Sequence, residues 1–203
     1  MRATESFPGC CAAERVLGFV SMDLQTSVVH DGSMTWTSPA VDVPDGPMTG
    51  SDRDILIPYL EAQRHSLLNI CAGLTAEQLS GRALPPSRLS LQGLVRHAAK
   101  VERIWFRIRS AGEDVPNLYG GPGDPTDFED LDPARAADEV DQLRSEWELC
   151  RDAVRTLPLD LEFLWRGEPM SLRMVYVHVI GEYSRHNGHA DLLRESIDGV
   201  TGR

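Results

Sequence analysis

The chain has 203 residues, with 20 basic against 31 acidic side chains and a formal net charge of −11. With 41% hydrophobic and 25% charged residues it falls in the globular range, which excludes a wholly disordered chain, a collagen-like repeat and a multi-span membrane protein. The acidic balance argues against nucleic acid as a partner, because binding a phosphate backbone needs a clustered basic surface.

Residues 1–50 hold no sustained period of 3.6 or 2 and close on a run of turn formers, Ser38 to Pro47, so they are expected to form a poorly ordered N-terminal extension ahead of one domain, 51–203. The early apolar run Val16–Val20 is too short for a signal core or a membrane span. Cys10, Cys11, Cys71 and Cys150 contain no CxxC pair, so neither a disulfide scaffold nor a cysteine zinc site is indicated. The expectation is a cytoplasmic protein with reduced thiols and no membrane contact.

From Asp52 the pattern becomes that of long amphipathic helices. The first is predicted from Arg53 to Ala72, with Leu56, Tyr59, Leu60, Leu67, Leu68 and Cys71 on its apolar face. Thr75 and Gln78 have the spacing of a capping box over a short helical turn. A second long helix follows Ser90 as N-cap and stops before Gly112, with Leu94, His97, Ala98, Val101, Ile104, Trp105 and Ile108 along its buried stripe. The Gly/Pro/Asp-rich stretch from Gly112 to Leu131 reads as a loop, either a lid or a plain linker. The third helix opens with Asp132 as N-cap and Pro133 at its first position, and ends near Leu157-Pro158. An irregular piece around Trp165 to Met170 leads to the fourth, Ser171 to about Asp198, stopped by Gly199. Four long helices with no βα repeat predict an all-α four-helix bundle.

The fourth helix carries the chemistry. Leu172, Val175, Val179, Glu182, His186, Leu193 and Ile197 fall on one stripe, placing a carboxylate and an imidazole where a core should be. Buried polar groups of this kind need a proton, a partner or a metal. Glu182 and His186, four apart, can aim at one point, and His97 on the second helix offers a third ligand from a facing element. Two imidazoles and a carboxylate suit zinc, nickel or ferrous iron and leave coordination positions open. Taken singly, each has a bland alternative: a satisfied core histidine for His97, a helix-surface hydrogen bond for Glu182 with His186. His178 and His189 flank the pair, and the helix alone does not say which imidazoles bind. His178 could replace His97, and His189 reads as a residue beyond the site.

Leu94 to Trp105 around His97, and Glu182-Tyr-Ser-Arg-His-Asn-Gly-His-Ala-Asp-Leu-Leu-Arg194, resemble the DinB-like superfamily of metal-binding four-helix bundles, and within it the branch related to mycothiol-dependent transferases and isomerases. The resemblance covers about Asp52 to Gly202. It implies a DinB-like fold with a divalent metal, zinc first, held by His97, Glu182 and His186. It further implies an S-transferase in which a metal-bound mycothiol thiolate attacks a small electrophilic substrate, in a monomer or homodimer. Two other readings stay open: a metal-dependent hydrolase using bound water, and a non-catalytic stress-response bundle stabilised by its metal.

Overall fold

The structure, a computed structural model, describes residues 35–201. Four long helices form the bundle. Helix α1 spans Asp52–Cys71, opened by a capping box between Ser51 and Asp54. The short α2, Ala76–Ser80, opens with the Thr75/Gln78 capping box expected from the sequence. Helix α3 spans Leu91–Glu102 behind the Ser90 N-cap and continues as a π-helix over Arg103–Ser110. Asp132 caps a 3-10 turn, Pro133–Arg135, that leads into α4, Ala136–Val154. Helix α5 spans Leu172–Asp198, from the Ser171 N-cap to Gly199 in the left-handed region. Helix α1 packs mainly on α5 and α3 on α4, while α3 also touches α5. That last contact brings the second and fourth long helices of the sequence together.

The core is aliphatic at its centre, with Leu67, Leu68, Leu91, Leu94, Leu143, Leu172, Val175 and Val179 sealed from solvent. Each such side chain contributes about 1.5–3 kcal/mol relative to leaving it exposed. Beside it runs a charged layer that the apolar periodicity does not register. Arg64, rather than the expected Tyr59, takes the inner face of α1 and donates to both carboxylate oxygens of Glu102, at 2.7 and 2.6 Å. Arg103 and Arg107 both donate to Glu146, and Tyr183 joins Trp147 Nε1 to Glu102. Both carboxylates are fully buried, and two-point guanidinium contacts take the place of water around each.

Two elements differ from the expected pattern. The second long helix is π-wound in its last eight residues, with Ala111 N donating to Phe106 O and Ser110 Oγ to Trp105 O, five residues back in each case. The piece around Trp165 is a hairpin rather than irregular: β1, Glu162–Trp165, pairs antiparallel with β2, Glu168–Ser171, across a two-residue turn. Arg166 at φ +55° and Gly167 at φ +86° give the turn the left-handed pair that hairpin twist demands. For the non-glycine Arg166 this conformation costs about 1–2 kcal/mol.

Of the expected N-terminal extension, residues 1–34 lie outside the described residues. Residues 35–50 include a contact with the bundle: Thr37 bridges Thr75, Ser38 N donates to Leu74 O and Gly73 N to Ser38 O, and Trp36 and Val41 pack at the core's edge. Among the described residues, no helix is long and apolar enough to cross a membrane.

Candidate metal centre

The contact between α3 and α5 sets His97 opposite Glu182 and His186. One ligand atom from each lies within 4.8 Å of the other two. Glu182 Oε2 stands 3.9 Å from His97 Nε2 and 3.5 Å from His186 Nε2. Two donors each about 2.1 Å from a tetrahedral ion are roughly 3.4 Å apart, so small side-chain rotations would let all three reach one ion. Glu182 and His186 are not in the core, as the apolar stripe led us to expect. Their side chains are 19% and 16% exposed, while Tyr183, Asn187 and Ala190 occupy the buried face at that level. The carboxylate therefore borders a cleft, where an open coordination position has somewhere to lead.

The partner of His97 decides which ring nitrogen faces the cluster. His97 Nδ1 is 2.7 Å from Asp127 Oδ2. Burial would push the Asp127 carboxyl up, but the His97 hydrogen bond and the charges of His97 and Lys100 hold it below its usual value. An ionised carboxylate only accepts, so Nδ1 carries a hydrogen, and in the neutral imidazole that leaves the lone pair on Nε2. That Nε2 is buried and has no hydrogen-bond partner among the described residues. On α5, burial first and the neighbouring His97 second push the His186 imidazole down to about 4, against the raising effect of Glu182. It is neutral near pH 7, the state that ligates metals.

His189 does more than the sequence suggested: its Nδ1 lies 3.3 Å from His186 Nδ1 and orients that ring. His178 is outside the three-residue cluster, with its ring 4.4 Å from that of Trp105 and its imidazole pushed down chiefly by burial.

Asp127 was not singled out by sequence reasoning, because it is one of six acidic residues between Gly112 and Leu131 and sits on no periodic element. The structure shows how that loop is fixed. Arg96 donates to the carbonyls of Thr126 and Glu129, and Lys100, the only lysine of the chain, to those of Tyr119 and Asp124. Phe128 then stacks on His97 with centroids 5.1 Å apart. Gly93 allows this approach, since a Cβ there would stand 3.0 Å from Phe128 Cδ1. The loop is a tethered wall. It closes one side of a cleft of about 580 Å³ that opens from His97 and Glu182 toward Trp105, Trp165 and His178.

Cys71 and Cys150 are free and buried, and burial pushes the Cys71 thiol up to about 12 and Cys150 well above its usual value. Neither offers a thiolate to the cleft.

No curated protein and no solved structure matches the chain. Residues 55–199, from the second turn of α1 to the stop of α5, match the family described as mycothiol-S-transferase. The match takes in both helices of the His97, Glu182 and His186 cluster and the loop that carries Asp127, and it covers well over half of the sequence: the chain belongs to the mycothiol-S-transferase family.

Proposed function

We propose that the protein is a divalent-metal-dependent S-transferase that joins mycothiol to a small electrophile, with His97, Glu182 and His186 holding the ion. Zinc suits the donor set best, and nickel or ferrous iron would also fit it. The observation that carries this reading is the buried, unpartnered Nε2 of His97, fixed as a lone-pair donor by Asp127 and facing Glu182 and His186. When bound, such an ion supplies Lewis acidity that lowers the pKa of a thiol at an open position, making thiolate available near neutral pH.

The chain's own residues do the rest. Asp127 and His189 orient the two imidazoles, and their hydrogen bonds hold the rings in place. Phe128 and Trp105 wall the centre with apolar surface, which limits water as a competing nucleophile. Buried Cys71 and Cys150 fit a reaction in which the thiol arrives as a small molecule.

Conjugate formation from mycothiol and a panel of electrophiles tests the proposal. We expect turnover that needs a divalent metal and is lost in Glu182→Ala. Absence of mycothiol consumption with every electrophile, or turnover that proceeds without thiol, would overturn it.

A further inference from the structure

The far end of the cleft holds two guanidinium groups that the bundle does not use. Arg109 lies 4.2 Å over the ring of Trp105 and Arg166 lies 4.5 Å over the ring of Trp165, and the two tryptophans meet edge to face at 5.5 Å. Neither arginine has a carboxylate or carbonyl partner among the described residues, whereas Arg64, Arg96, Arg103 and Arg107 are each held by one or more. The carboxylates lining the same cleft are already engaged: Asp127 by His97 and Lys100, Asp124 by Thr126, and Glu182 by Arg185.

Two like charges brought into one cleft repel. Burial, and then the facing Arg166, hold the Arg109 guanidinium below its usual value. Arg166 also occupies the left-handed first position of the hairpin turn, where Asn, Asp or Gly would be easier to accommodate. Two unpartnered guanidinium groups in one cleft point to an anion that relieves their repulsion, and the strain accepted at Arg166 marks a position kept for its side chain. Guanidinium pairs select carboxylates by geometry as well as charge, and tryptophan faces favour a flat partner.

We propose that Arg109 and Arg166 form an anion clamp, and that the acceptor taken by this enzyme carries a carboxylate on a flat unsaturated or aromatic frame that lies against Trp105 and Trp165. The identity of the anion as the acceptor rests on the transferase reading above; the anion site itself does not.

Benzoate and benzamide, matched in shape and differing in charge, are the binding probes, followed by tryptophan fluorescence in chelator-treated protein so that no metal can take the carboxylate. Benzoate is expected to bind and benzamide to bind far more weakly. The double variant Arg109→Gln/Arg166→Gln is expected to weaken benzoate by roughly tenfold or more. Arg166→Gln alone, at an exposed turn, should shift binding the same way with unfolding unchanged. In turnover, 4-(chloromethyl)benzoate is compared with its amide. Mycothiol sulfur bonds to the benzylic carbon as the C–Cl bond breaks, chloride leaves and the thiol proton passes to buffer. The wild-type protein should prefer the acid, and the double variant should lose that preference.

Equal binding of benzoate and benzamide, or benzoate binding untouched in the double variant, overturns the clamp. Arginine-dependent benzoate binding with no mycothiol consumption upholds the anion site while the transferase reading fails.

Discussion

At the scale of single residues, the centre depends on how its imidazoles are held. His97 serves as a lone-pair donor only while Asp127 accepts from its other nitrogen. Asp127→Asn can present an amide donor to that nitrogen, favouring the opposite tautomer. Metal affinity is then expected to fall by about 10- to 100-fold with the fold retained, as measured by competition with a metal-binding dye. His186 gives a pH signature. Its imidazole titrates at about 4 in the metal-free fold against about 6.5 when unfolded, so between those values the unfolded chain binds the extra proton. Metal-free stability should therefore fall as pH drops from about 6.5 to about 4, and denaturant midpoints across that window should show a shallower fall in His186→Asn. The proximity of Glu182 and His186 was approachable from the sequence because a spacing of four on a helix fixes a shared face. Asp127 was not, since nothing local separates it from the other acids of its loop.

At the scale of elements, the buried ion pairs tie helices together where apolar contacts run out. Glu102 is sealed from solvent and neutralises Arg64 across the α1–α3 interface. Glu102→Leu leaves a buried guanidinium short of its partner and is expected to cost about 3–5 kcal/mol in denaturant unfolding. Adding Arg64→Met should recover most of that loss, because the cost lies in the stranded charge rather than in the missing pair. Most helices were legible from period and caps: Ser90, Ser171 and Gly199 stand where the sequence places them, while Asp132 caps the 3-10 turn ahead of α4 rather than α4 itself. The π-winding of Arg103–Ser110 was not, because a 3.6-residue template assumes the hydrogen bonds that segment lacks. The hairpin escaped because Pro169 demotes its second strand and Arg-Gly is not a common turn pair. The π-wound segment supplies Trp105 and Arg109 and the hairpin Trp165 and Arg166, so the meeting of these four at the cleft's outer half was not legible from the sequence, although Trp105 stood on the predicted stripe.

At the scale of the whole molecule, the bundle presents side chains from α3 and α5 to one cleft and closes that cleft with a loop tied down by Arg96 and Lys100. The fold class followed from four amphipathic stretches, and the family from motifs on two of them. Tertiary placement sets the Glu182 carboxylate at a cleft margin instead of in the core, which leaves it accessible as a candidate ligand. The account's central claim is that His97, Glu182 and His186 together hold one divalent ion. Equilibrium zinc binding to the purified protein and to His97→Ala, Glu182→Ala and His186→Ala, each checked for cooperative unfolding, tests it most directly. The account predicts one ion per wild-type chain and loss of that site in every variant; full zinc retention by the folded variants would contradict it.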